Sequence, residues 1–206
     1  MRSATLLALA LALSLTACDI TEVYEDNTEV RVVDFEFDGD DYTLSDDGLV
    51  ASFESDDVRS GNDRDAIESA LRTAGDGALV MLYAENSLIL DVEPGATYTA
   101  LPVTKGFERV IIIDPEDPEQ DEPVVDITVT YTFAFDNEDL YFDVLSSAAL
   151  DFDGFLPDDI ELRLVTIDGT LFNAKQAELQ AAGKTGLDIR DYAAVAAAFD
   201  LPPATR

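Results

Sequence analysis

The chain has 206 residues, 47% of them hydrophobic, and 44 Asp and Glu against 12 Lys and Arg give a formal net charge of −32. That length and apolar content suit one packed core, while the charge excludes a binder of phosphate backbones, which needs cations to displace counterions, and repels anionic lipid headgroups. Histidine is absent, which removes imidazole bases, Ser-His and Cys-His pairs and His metal sites.

Met1 and Arg2 precede an apolar run over 5–15 (TLLALALALSL) broken only by Thr5 and Ser14. A basic start, an apolar stretch within ~7–15 residues and small residues behind it form the plan of a secretory signal peptide. A membrane-spanning helix needs ~20 apolar residues, and here Ala17-Cys18-Asp19 ends the run early. Cys18 is the single cysteine, so it has no intrachain disulfide partner. Leu15-Thr16-Ala17-Cys18 (LTAC) resembles the lipobox of bacterial lipoproteins: a leucine, two small residues, then the cysteine. The resemblance implies that residues 1–17 are a lipoprotein signal peptide cut between Ala17 and Cys18. It also implies a diacylglyceryl group on the Cys18 sulfur and a fatty acyl chain, such as palmitate, on the new amino terminus. The mature chain would then sit at the cell envelope, facing the periplasm or the exterior. Asp19 resembles the signal that keeps enteric-type lipoproteins in the inner membrane. Each buried methylene contributes ~0.8 kcal/mol and one chain holds only marginally, so two or three chains are needed to anchor the acidic body.

Residues 18–29 read as an acidic tether. In VRVVDFEFD, Val33, Phe35 and Phe37 alternate with Asp34, Glu36 and Asp38, a strand with one apolar and one acidic face. Turns at 38–41 (DGDD) and 46–48 open a meander in which Leu49, Ala51 and Phe53 share a side. A helix is predicted over 63–74, capped by Asn62 or Asp63 and ended by Gly75, with Ile67, Ala70, Leu71 and Ala74 as its packing stripe. Strands are predicted at 78–84, 87–92, 96–103 and 107–114, with turns at Glu85-Asn86, Pro94-Gly95 and Lys105-Gly106 and a central stretch from Val110 to Ile113. Residues 115–123 (PEDPEQDEP) hold three prolines and read as an exposed loop.

Over 124–135 (VVDITVTYTFAF), Val125, Ile127, Val129, Tyr131, Phe133 and Phe135 face one way; Asp126, Thr128, Thr130 and Thr132 face the other. A turn at 136–139 leads back through LYFDVLSS, so this is a long hairpin with one wet face. Residues 159–168 form a further strand with Ile160, Leu162, Leu164 and Thr166 on one face. Asn173, with Gln176 three positions on, has the spacing of a capping box for a helix that Gly183 ends. A last helix starts at Asp188, carries Ile189, Tyr192, Val195, Ala196 and Phe199 as its stripe, and stops before Pro202.

These elements predict a mainly β fold: an antiparallel β-sandwich or barrel of about ten strands, with one inserted helix and two C-terminal helices. The domain organisation is a signal peptide over 1–17, a tether over 18–29, a β-rich domain over 30–170, and a helical segment over 171–206 packed on it.

Carboxylates are the abundant reactive groups. Two of them hydrolyse glycosides when ~5–9.5 Å apart with split pKa values, but 44 acids meet a distance rule by number alone, and no Trp offers a sugar platform. Residues 34–41 (DFEFDGDD) follow the first half of an EF-hand loop, then place Ser45 where the bidentate Glu is needed. Residues 151–159 (DFDGFLPDD) lack a third ligand in register. Both read as acidic turns. Residues 183–186 (GKTG) lack the upstream glycine of a phosphate loop, since Glu178 stands there, and read as a linker.

No residue is nominated as catalytic, cofactor-binding or metal-ligating, and no cofactor is expected. The nominated positions are Cys18 for lipidation and Ala17 and Cys18 for cleavage. The expected function is that of a membrane-anchored, noncatalytic envelope lipoprotein that binds or scaffolds at the cell envelope. Its expected partners are the membrane, through lipid on Cys18, and a basic protein or weakly held divalent cations; nucleic acid is not among them. One alternative is a carrier of a small apolar ligand in a barrel interior lined by Val129, Tyr131, Phe133 and Tyr141. A remoter one is a carboxylate-based hydrolase.

Overall fold

Strands with one apolar face must bury it against a second layer, and the chain supplies that layer itself. The computed structural model describes residues 30–74, 77–85, 88, 98–110, 124–136, 138–148, 150, 152 and 155–203. In chain order they form β1 (Val30–Asp38), β2 (Thr43–Leu44), β3 (Val50–Glu54), a 3-10 turn (Ser55–Asp57) and α1 (Gly61–Ala74). There follow β4 (Leu79–Glu85), β5 (Tyr98–Ala100), β6 (Val103–Val110), β7 (Val124–Phe135), β8 (Leu140–Ser146) and β9 (Asp159–Ile167). The helices α2 (Gly169–Ala181) and α3 (Tyr192–Phe199) complete the fold. One sheet has the order β1-β9-β4-β5 and the other β2-β3-β8-β7-β6, with every pairing antiparallel. Two separate sheets make this a sandwich and not a barrel. The described residues hold nine strands; the predicted strand at 87–92, apart from Leu88, the stretch beyond Val110 and the loop at 115–123 lie outside them.

The space between the sheets is filled as the alternation predicts. Val33, Phe35 and Phe37 of β1 join Leu82 and Ala84 of β4 and Ile160, Leu162 and Leu164 of β9. They meet Ala51 and Phe53 of β3, Ile127, Val129 and Tyr131 of β7, and Leu140, Phe142 and Val144 of β8. Phe37 stands 5.3 Å from Phe53 and 6.4 Å from Phe142, ring centre to ring centre, distances at which aromatic pairs attract. From α1, Ile67, Ala70 and Leu71 close this core. Each such aliphatic or aromatic side chain contributes ~1.5–3 kcal/mol by leaving water.

A second core lies on the outer face of the β1-β9-β4-β5 sheet. Val30, Val32, Met81, Tyr83, Tyr98, Val165 and Ile167 are buried there beneath Tyr192, Val195 and Ala196 of α3. Leu171 and Phe172 of α2, with Leu187, Phe199 and Leu201, pack at its margin. The layers are therefore helices, sheet, sheet. Two expectations change as a result. The second face of β1 is not simply acidic and wet, because Val30 and Val32 share it with Asp34 under the helices. Ile189, expected in the stripe of the last helix, stays exposed while its carbonyl accepts a bond from the Tyr83 hydroxyl at 2.8 Å.

Element boundaries move for local reasons. The predicted strand at 96–103 divides at the cis Leu101-Pro102 peptide into β5 of one sheet and β6 of the other. Pro102 has no amide hydrogen with which to continue a ladder, while the Leu101 amide still bonds Leu82 at 2.9 Å. Lys105 and Gly106, expected in a turn, sit inside β6 opposite Val129 and Thr128. α1 begins at Gly61, with the Ser60 carbonyl accepting from the Asp63 and Arg64 amides. α2 begins at Gly169, not at Asn173: the Asp168 carboxylate accepts from the Thr170 and Leu171 amides at 2.7 and 3.2 Å. Gln176, expected in a capping box, instead accepts from the Leu187 amide at 3.1 Å. Gly183, at φ +75°, ends α2 as expected; its amide bonds Gln180 and that of Lys184 bonds Leu179, the pairing of a Schellman motif. α3 is capped by Asp191, three positions after the expected start, which accepts from the Ala193 and Ala194 amides.

Candidate functional site

Ala17, Cys18 and Asp19 lie outside the described residues, as do the expected signal peptide over 1–17 and the expected tether over 18–29. Covalent geometry still limits them. Cys18 and Val30 are twelve steps apart in the sequence, and at ~3.3–3.6 Å per residue that span is at most about 40 Å.

The acids of 34–41 do not converge on one point. Asp34, Glu36 and Asp38 share one face of β1 at period two, and two arginines take them. Arg163 takes Asp34. Arg59 bonds Glu36, reaches Asp159 at 2.5 Å and Asp38 at 3.2 Å, and donates to the Asp158 carbonyl at 3.1 Å. Among the described residues, no three His, Cys, Asp or Glu side chains are grouped to hold a metal; Asp151, the first acid of 151–159, lies outside them. The turn acids are tied to nearby donors. A bond from the Asp40 amide holds the Asp38 carboxyl below its ordinary value, one from the Ser45 hydroxyl lowers Asp47, and the Glu138 and Asp139 amides lower Asp136. A general acid needs the opposite shift.

The most elaborate buried constellation was not read from the sequence. Arg163, in the middle of β9, is 3% exposed. Its Nε and Nη2 grip Asp34 at 2.5 and 2.6 Å, and its Nη1 donates to the Tyr192 hydroxyl at 2.6 Å and the Pro203 carbonyl at 3.4 Å. The guanidinium lies 4.5 Å over the Tyr98 ring and 4.9 Å from that of Tyr192, within cation–π range. The Tyr192 hydroxyl in turn donates a hydrogen bond to the Pro202 carbonyl at 2.6 Å. Burial opposes the charge on Arg163, but the bonds to Asp34 outweigh it and the group is held above its ordinary value. Burial pushes the Tyr83 and Tyr192 hydroxyls up as well. With each guanidinium nitrogen bonded within the chain, Arg163 works as a clamp on the C-terminal segment. In a single sequence, the "ELRLV" around it reads as ordinary alternation.

The outer face of the β2-β3-β8-β7-β6 sheet is different. Register places Thr104, Thr130, Leu145 and Val50 in one row, Thr132, Asp143, Ser52 and Thr43 in the next, and Ala134, Tyr141 and Glu54 in a third. All are exposed or half-buried. Thr104 and Thr130 share a hydroxyl bond at 3.0 Å, and Ser52 donates to Asp143 at 2.7 Å. Among the described side chains of this face there is no Lys or Arg. Partial desolvation, followed by the carboxylates of Asp139, Asp136, Glu54 and Asp56, pushes the Tyr141 hydroxyl above its ordinary value. The field at that ring is negative.

The four residues expected to line a ligand cavity do not share one interior. Val129 and Tyr131 are packed in the core between the sheets and Phe133 lies at its margin. Tyr141 is on the outer face, next in sequence to the inward-facing Phe142. Comparison of the chain with family models, curated proteins and solved structures found no match in any of the three.

Proposed function

We propose that this chain is a lipid-anchored, noncatalytic protein of the bacterial cell envelope, whose β-sandwich binds or scaffolds a positively charged partner. The observation that carries the reading is LTAC at 15–18, placed directly behind a short apolar run and ahead of an acidic segment. Lipid on Cys18 supplies the attachment; among the described residues no helix is long and apolar enough to cross a membrane. The domain faces the periplasm or the exterior, with Asp19 favouring the inner membrane. The excess of 44 acids over 12 bases favours a cationic partner through complementary potential.

The anchoring is tested by intact-mass analysis of protein purified from its native membrane. The expected species starts at Cys18 and carries a diacylglyceryl thioether, and Cys18→Ala blocks both processing and membrane retention. A free thiol, or a chain that still starts at Met1, would overturn the reading.

A further inference from the structure

We propose that the bare outer face of the β2-β3-β8-β7-β6 sheet docks a cationic protein segment, with Tyr141 receiving an Arg or Lys side chain and Glu54 and Asp143 as counter-charges. The proposal rests on the partner reading above and gives it a surface. The described residues cover the two sheets unequally. The β1-β9-β4-β5 sheet is roofed by α2 and α3. The other keeps Leu145 at 36% exposure, with Val50 opposite it in register and Tyr141 and Asp143 on the same face of β8. An apolar centre rimmed by hydroxyls and carboxylates is the composition of an interaction surface.

Charge chooses the occupant. The face carries acids and, among its described side chains, no base, and four carboxylates already bias the Tyr141 ring. A second copy of this chain would bring like charge against it, and so would an anionic bilayer. A free divalent ion needs several oxygens on one point, whereas here Asp143 accepts from Ser52 and Glu54 belongs to another row. Guanidinium over a tyrosine ring is a contact this molecule already makes internally, at Arg163 over Tyr98. A protein segment bearing Arg or Lys between small or apolar residues matches both the rings and the carboxylates.

The test is an amide-shift titration of the full chain in nonionic micelles with a short peptide of alternating Arg and Ala, at ~0.15 M salt, where long-range attraction is screened. Shifts are expected to concentrate on Ser52, Glu54, Thr132, Tyr141, Asp143 and Leu145, and a Glu-for-Arg version of the peptide should not bind. Tyr141→Ala should weaken binding about three- to fivefold and Tyr141→Phe should restore it, because the ring and not the hydroxyl is used. Glu54→Gln with Asp143→Asn should weaken it about tenfold; Asp143→Asn retains an oxygen for Ser52, and the dispersion of each spectrum reports folding. Asp40→Asn with Asp65→Asn, an equal charge loss elsewhere, should leave affinity within about twofold. Shifts spread over all the acidic turns, or an equal loss from the two pairs, would overturn this site while leaving a cationic partner in place. No binding anywhere would remove the cationic partner too, and neither result bears on the lipid.

Discussion

Arg163 sets a condition that few residues in a sheet must meet: a charge out of water needs every donor answered. Asp34 answers Nε and Nη2, and Tyr192 and Pro203 answer Nη1, so each guanidinium nitrogen has a partner. Removing the carboxylate leaves the guanidinium buried without its counter-charge, which costs far more than removing the pair together. Asp34→Ala is therefore expected to destabilise the fold by about 3 kcal/mol, while Asp34→Ala with Arg163→Met recovers most of that loss. Urea unfolding of the single and double variants checks it; equal losses would mean that the pair is not coupled. The sequence could not announce this residue. A polar side chain directly between two leucines, Leu162 and Leu164, has the same pattern whether its face is wet or roofed. What decides between them is Asp34, 129 residues away in sequence.

At the level of elements, legibility followed length and one-sidedness. β7 and the second half of β1 alternate cleanly, so their inward residues were readable: Phe35 and Phe37, and Val129 and Tyr131, are all buried. β9 was harder, because a strand between β1 and β4 with a helical layer above it buries Arg163, Val165 and Ile167 as well as Leu162 and Leu164. Caps were ambiguous because Asp and Asn abound, and several of them stand near each helix start. At α2, Asn173 has the right spacing, but Asp168 has the geometry, since Gly169 can begin the helix directly after β9. The two are separable by substitution. Asp168→Ala should cost about 1 kcal/mol by leaving the Thr170 and Leu171 amides unanswered. Asn173→Ala, at an exposed helical position, should change stability by less than about 0.5 kcal/mol. Thermal melts that rank the two variants the other way would return the cap to Asn173.

At the scale of the whole molecule, the unequal cover of the two sheets follows from the path the chain takes after β9. After β9, α2 and α3 fold back across the adjoining sheet, and the second sheet receives nothing equivalent from the described residues. The sequence marked out amphipathic strands and, apart from the exposed Ile189, the docking stripe of the last helix, but not which strands that stripe covers. The choice is made by Arg163 and Tyr83, which take the Tyr192 hydroxyl and the Pro203 and Ile189 carbonyls as partners. The lipobox-like LTAC at 15–18 has the reverse character: the resemblance is legible in four residues and owes nothing to the fold. If the helical roof is part of the core, its loss should be global. Deleting 187–206 uncovers the surface under Tyr192 and Val195, worth ~1.5–3 kcal/mol for each, and strips Arg163 of two acceptors. The packing of Leu187, Ala196, Phe199 and Leu201 on the same core is lost with them, and the total approaches the ~5–15 kcal/mol that holds an ordinary domain together. The truncated chain should lose its cooperative melt and bind a hydrophobic dye. Thr130→Ala and Thr132→Ala on the bare face should stay within about 0.5 kcal/mol of the parent chain. A truncated chain that melts as sharply as the full one would mean that the helices are an appendage and that the sandwich stands without them.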